Sequence, residues 1–214
     1  EGRGRMHQHV VLCYDKFKYR VGAYDDDFMI PEVNIRKFLR PALQAKLCHI
    51  RGLCFMQLIG VHLKAGKFSE DRILQIQKLA ENLRQQEDPL PTVILGDWNS
   101  YRKDRSGLEK DDIEFFEDIL STDFQPMRSI GKGITTYGTG EWAKDYDHIV
   151  ISQQLDFYAV EAYPACSDGA PGDYIPYSSF NKYFSDHCPI TAQLYVRPPV
   201  DSEFHSGDTQ VFVR

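Results

Sequence analysis

The order strand, helix, strand across residues 53–95 predicts a layered α/β domain, and two further observations agree with it. Residues 55–61 are almost wholly apolar, as befits a strand covered on both faces. Downstream, a second helical stretch is followed by more short apolar strands. With 42% apolar residues in 214, the chain is long enough to bury one substantial core.

Residues 9–14 read as a β-branched, mostly buried strand, and Asp15-Lys16 as a turn. In residues 17–24, Phe17, Tyr19, Val21 and Ala23 alternate with polar Lys18 and Arg20, which predicts the second arm of a hairpin with one wet face. After a loop at 25–31, residues 42–50 and 53–62 form a second hairpin around Arg51-Gly52. Ser69 suits an N-cap, Glu70 and Asp71 suit the positive end of a helix dipole, and Ile73, Ile76, Leu79, Ala80 and Leu83 recur at helical spacing. That helix runs to about Gln86, where Pro89 and Pro91 lead into a strand at 92–95. A helix is expected at 108–120, with Ile113, Phe116 and Leu120 on one side, and strands at 149–152, 157–162 and 190–196. The tail from Arg197, with Pro198-Pro199 and a polar stretch, reads as lying outside the core. One domain over residues 1–196 and a tail over 197–214 is the expected organisation.

The 31 acidic against 25 basic residues, a net charge of −6, exclude the basic footprint of a protein living permanently on DNA. A transient phosphate substrate is compatible with that balance, provided few phosphates are contacted. No run approaches the ~20 apolar residues of a membrane span, and Glu1-Gly2-Arg3-Gly4-Arg5 lacks the apolar middle of a signal peptide, so a soluble chain is expected. The five cysteines show no zinc-site spacing, and their odd number leaves at least one without an intrachain partner. A three-residue loop centred on Arg51 would set Cys48 opposite Cys54, whereas a two-residue loop would not, so the compartment stays open.

Chemistry-bearing residues gather at strand ends. Gly96-Asp97-Trp98-Asn99 follows Val93-Ile94-Leu95, so Asp97 and Asn99 emerge where α/β sheets place ligands. A carboxylate and an amide two apart can orient a water and hold a phosphoryl oxygen. Alone, Gly-Asp after a strand is more often a solvated turn. His62 ends a buried strand before Leu63-Lys64, and an imidazole there is either a satisfied polar group or a donor to a phosphate or leaving group. Ser185-Asp186-His187 opens another apolar strand, setting a hard carboxylate able to ligate Mg2+ beside a candidate general base. Asp147, before Ile149, can orient the His187 imidazole as a carboxylate orients the base of hydrolytic triads, with Asp145 as the competing candidate. Tyr137, Trp142 and Lys144 can contact a substrate, although packing or loop solvation explains each as well.

The series His62-Leu63-Lys64, Gly96-Asp97-Trp98-Asn99, Asp147-His148-Ile149 and Ser185-Asp186-His187 resembles the endonuclease/exonuclease/phosphatase superfamily, over most of residues 9–196. His62, the lead-in of residues 5–14, Tyr24-Asp25-Asp26-Asp27 and Arg40-Pro41-Ala42 are similar to its deoxyribonuclease I branch. The resemblance implies a four-layer α/β/β/α sandwich of two packed mixed sheets flanked by helices. It also implies a Mg2+-dependent phosphodiesterase, with Mn2+ or Ca2+ as alternative cations, and a nucleic acid substrate, DNA before RNA. A phospholipid or phosphoinositide substrate and a non-catalytic scaffold are the alternatives, and no obligate protein partner is implied. By residue, His187 is the base oriented by Asp147, and His62 the acid. Asp97 and Asn99 hold water and phosphate, Arg40 and Lys64 contact the substrate, and Asp186 belongs to the metal site.

Two departures qualify the match. The family's first strand, bearing an Asn, and the Glu that is its principal metal ligand have no counterpart before His9, since Glu1 lies too close to it. The start is therefore expected to be incomplete or supplied by another segment. Gln8 falls where that branch has a Glu paired with the acid histidine, or His7 does if the alignment shifts by one, which would lower the pKa of His62 and weaken it as an acid.

Overall fold

The computed structural model of the chain describes residues 10–23, 28–35, 39–66, 69–103, 109–122, 125–139, 143–166, 176–183, 185–196 and 211–213. Gln8, the acidic loop at 24–27, Leu108, Trp142 and most of the tail lie outside the described residues.

The apolar run of residues 55–61 becomes the centre of a mixed sheet. Its strands are β1 (Tyr19–Gly22), β2 (Met29–Ile30), β3 (Ala42–His49), β4 (Cys54–His62), β5 (Thr92–Asp97), β8 (Met127–Ile130) and β9 (Asp147–Ser152), in the order β1-β3-β4-β5-β9-β8 with β2 also on β3. Between β4 and β5, which are parallel, runs α1 (Ser69–Arg84), the crossover that parallel neighbours require. A two-stranded ribbon of β6 (Tyr101–Lys103) and β7 (Glu109–Asp111) leads into α2 (Ile113–Leu120). A second sheet joins β10 (Leu155–Ala162), β11 (Ile190–Val196) and β12 (Val211–Val213). Near its end, α3 (Tyr177–Tyr183) stacks Phe180 on Tyr163, ring centroids 5.3 Å apart.

Alternation along β4, β5 and β9 sends successive side chains to opposite faces. Ile59, Ile94 and Val150 face Ile76 and Leu79 of α1 and Phe116 of α2 in one core. Leu58, Val93, Ile149 and Ile151 face Leu155, Ala192 and Leu194 in a second core, between the sheets. Helices, mixed sheet and second sheet thus follow in layers as the sequence predicts, with α3 on the side of the second sheet. None of the described helices is long and apolar enough to cross a membrane.

Several local expectations are corrected. Residues 10–14 form no strand: Val10 and Leu12 lie across Gly60 of β4 while Val11 and Cys13 are exposed. A Cβ on Gly60 would sit 2.6 Å from Val10 Cγ1, so the glycine makes this close approach feasible. Accordingly β1 pairs with β3 rather than with residues 10–14. The turn between them is as expected, with Lys18 and Tyr19 N–H groups on the Asp15 carbonyl. The helix expected from 108 begins at Ile113, because residues 109–111 pair with β6 and Asp111 Oδ1 takes the Ile113 N–H at 2.9 Å. Residues 211–213 of the tail, read as lying outside the core, add an edge strand to β11.

Cys48 pairs opposite Cys54 and is disulfide-bonded to it, across the three-residue loop centred on Arg51 that the His49 N–H closes on the Leu53 carbonyl, with a register shift after Leu47. Cys166 and Cys188 form a second disulfide, and Cys13 is a free, exposed thiol.

Candidate active site

Strand register builds the site. His62 at the end of β4 lies beside Asp97 at the end of β5, and Asp97 lies beside Asp147 at the start of β9. Paired residues share a face, so the three side chains form one row. By parity this face is that of Leu58, Val93 and Ile149, which places the row at the upper edge of the core between the two sheets. From the second sheet's side, His187, just before β11, brings its Nδ1 to 2.6 Å from Asp147 Oδ2.

The Gly-Asp-Trp-Asn motif has a physical reason at each position. Gly96 has φ +136° and a Cβ there would lie 2.0 Å from the Val61 carbonyl oxygen, so no side chain fits. The Asp97 carboxylate faces His62, with Oδ2 3.3 Å from Nε2, and its Oδ1 accepts the Asn99 N–H at 2.9 Å. Trp98 is fully buried and anchors the loop by donating its indole N–H to the His148 carbonyl at 3.1 Å. Asn99 adopts φ +46°, a conformation asparagine tolerates better than most residues, and its amide donates to the Leu63 carbonyl at 3.3 Å.

The charges are strongly coupled. Burial, aided by Arg40 and His187, pushes His62 down to about 4, so its imidazole is neutral at pH 7. Burial and the neighbouring Asp147 carboxylate push Asp97 up to about 6 against the opposing His187 and Asn99. For His187, burial pulls downward, but the hydrogen bond and charge of Asp147, with Asp97 and Asp186, raise it to about 8. Burial lowers Arg40, while Asp97 opposes that shift, which places the guanidinium within electrostatic reach of the row.

Of the sequence-predicted residues, His62, Asp97, Asn99, Asp147, His187 and Arg40 converge. Asp186 sits exposed on the rim, where its charge acts on His62 and His187. Lys64 donates its ammonium to the Ala65 carbonyl at 2.9 Å. Asp145, the competitor of Asp147, turns inward and its Oδ2 accepts the Gly133 N–H. One ligand-type atom from each of Asp97, Asp147 and His187 lies within 4.8 Å of the others. That set fits a divalent cation through its carboxylates, and a cation would offset the repulsion that raises Asp97.

Supporting residues escape a sequence reading. Arg72 is fully buried and donates to the carbonyls of Lys64, Gly66 and Tyr101, and Gln75 spans the Lys64 N–H and the Val33 carbonyl. Both hold the loop after His62. Their signal was spacing, since 72, 75, 79 and 83 share the buried stripe of α1. Thr136 accepts the Asp147 N–H on Oγ1 and the Cys188 N–H on its carbonyl, and nothing in a lone threonine announces that. Tyr137 and Tyr146 adjoin the His187 ring at 5.2 and 6.0 Å, and Tyr101 adjoins Tyr146 at 5.8 Å.

No family sequence model and no curated protein sequence matches the chain. Solved structures do. An endonuclease/exonuclease/phosphatase from Bacteroides vulgatus superposes with a TM-score of 0.54 at 18% identity, over 86% of this chain and 69% of that one. D. rerio TDP2, solved with a single-strand DNA product, gives 0.55 at 15% identity over 84% and 68%. A mannosyl-6-phosphatase from Bacteroides thetaiotaomicron gives 0.51 at 16% identity over 85% and 68%. The two packed sheets, the helical layer and these likenesses agree: the chain has the fold of the endonuclease/exonuclease/phosphatase superfamily.

Proposed function

We propose that the chain is a divalent-metal-dependent phosphoester hydrolase acting on the phosphodiester backbone of a nucleic acid, DNA before RNA, with residues 1–196 as its catalytic domain. The observation that carries this reading is the His62, Asp97 and Asp147 row facing a His187 imidazole held at 2.6 Å by Asp147. The fold supports it.

Asp147 fixes the His187 Nδ1–H, so Nε2 is the atom that takes a proton from the attacking water. Asp97 orients that water. Arg40, the Asn99 amide and Lys64 bind phosphate oxygens, and neutral His62 offers an N–H to the departing oxygen. Water oxygen bonds to phosphorus, the phosphorus–oxygen bond to the leaving group breaks, the leaving oxygen, hydrogen-bonded by His62, takes a proton from solvent, and His187 returns its proton to solvent. Asp186, with Asp97 and Asp147, would hold Mg2+, or Mn2+ or Ca2+ in its place. When bound, the cation supplies Lewis acidity that offsets negative charge developing on the phosphoryl group.

The ring wall of Tyr101, Tyr137 and Tyr146 beside His187 favours a substrate with bases to stack over one without. The test is nicking of supercoiled plasmid with Mg2+, with and without chelator. We expect chelator to abolish nicking and His187→Ala to lower it on the order of 10²–10⁴-fold. Release of headgroup from phospholipid or phosphoinositide vesicles with plasmid intact would move the substrate to lipid. Loss of both activities, with Mg2+ present, would leave a scaffold.

A further inference from the structure

Behind the catalytic row lies a second cluster that the proposed reaction does not use. His148 follows Asp147 on β9 and so points to the opposite face, edge-on to Trp98 at 6.5 Å. There Asp111, Asp145 and His148 each bring one ligand-type atom within 4.8 Å of the others. Asp145 is 6% exposed and His148 1%.

Three of the six side-chain polar atoms of the cluster have hydrogen-bond partners. His148 Nε2 is 3.0 Å from Ser100 Oγ, Asp145 Oδ2 takes the Gly133 N–H, and Asp111 Oδ1 takes the Ile113 N–H. His148 Nδ1 and Asp145 Oδ1, both buried, have none. Buried polar atoms are overwhelmingly satisfied, so two orphans in one cluster indicate a shared partner. Two carboxylates converging on an imidazole are net negative, and burial makes such charge costly unless a cation neutralises it. A neutral water could take up hydrogen bonds but not that charge.

We infer that Asp111, Asp145 and His148 form a second binding site, for a divalent transition-metal ion of the Zn2+ or Mn2+ class. One imidazole nitrogen with carboxylate oxygens suits such ions, whereas Ca2+ takes six to eight oxygens. Asp111 is the least buried member and marks the entry side. A cation here ties the junction of β7 and α2 to the start of β9, the strand that carries Asp147. Its role is to fix the backbone on which the base pair stands.

The test uses the full chain stripped of metal, titrated with Zn2+ alone by calorimetry and with Co2+ alone by visible absorption. An Asp97→Asn/His187→Ala background removes two members of the catalytic cluster. On that background we expect one equivalent of Zn2+ to bind, and Asp111→Asn to weaken it at least tenfold while keeping the Ile113 contact. His148→Gln should abolish the imidazole-dependent Co2+ band. No binding on the double-variant background overturns the inference, as does Zn2+ affinity unchanged by Asp111→Asn. A site preferring Ca2+ over Zn2+ overturns the ion class. Should His148→Gln fail to fold, the partly buried Asp111→Asn decides alone.

Discussion

Replacing Asp147 with Asn isolates the interaction that sets the proton on His187. In the intact pair the imidazole is raised from 6.5 to about 8, with Asp147 as the chief raising influence. A difference of about 1.5 units corresponds to about 2 kcal/mol, which solvent screening at a side chain 23% exposed reduces to about 1 kcal/mol. In Asp147→Asn the burial that lowers His187 persists while this carboxylate's charge is gone, so the midpoint should fall clearly below about 8. Proton NMR of the imidazole across pH, with chelator present, measures this without requiring activity. The folded pKa lies above the unfolded one, so this proton's stabilisation is complete below pH 6.5 and fades as pH rises through about 8. That part of the stability gap between wild type and variant should close over the same window. A wild-type midpoint at or below 6.5, or a midpoint unmoved by the variant, would refute the reasoning.

Other expectations follow from the same geometry. Asp97→Asn should remove activity yet stabilise the fold at pH 7. Its carboxyl is raised from 3.8 to about 6, so its ionisation lowers stability as pH rises through that window, by at most about 3 kcal/mol. Urea unfolding at pH 4 and pH 7 checks the sign. Gly96→Ala should cost about 3 kcal/mol or more, because a Cβ meets the Val61 carbonyl oxygen at 2.0 Å and the backbone is in a glycine conformation; failure to accumulate folded protein is the readout. Trp98→Phe should cost about 1–2 kcal/mol, leaving the His148 carbonyl without its donor, and is read from the thermal midpoint. Cys166→Ser with Cys188→Ser opens a link spanning 22 residues and should cost about 3 kcal/mol. It should lower nicking more steeply than stability, since Cys188 adjoins His187.

Asp97, Asn99, His62 and Asp147 were legible because each follows or opens an apolar strand, and a strand end is a local property. The partnership of Asp147 with His187 was also legible from the residues, with Asp145 as a competing candidate, and the resemblance favoured Asp147. What separates the two acids is the ladder that sets Asp147 beside Asp97 and the Gly133 contact that turns Asp145 inward, both tertiary. Residues 10–14 were misread because a β-branched apolar run satisfies a strand and a segment lying over a glycine alike. Arg72 and Gln75 were missed because polar residues on a helix usually face water, and here loop carbonyls and an N–H draw them inward.

The row formed by His62, Asp97 and Asp147 ties chemistry to pairing fidelity. The three groups come from three strands, and a slip of one residue in either ladder would turn a side chain from the edge of the inter-sheet core to the helix-covered face. A compact chain with a shifted strand could keep its secondary structure and most of its buried area, yet present an incomplete row. Turnover per milligram would therefore count correctly registered molecules, and comparing it with circular dichroism during refolding would reveal any misaligned, compact population that ordinary folding probes cannot see.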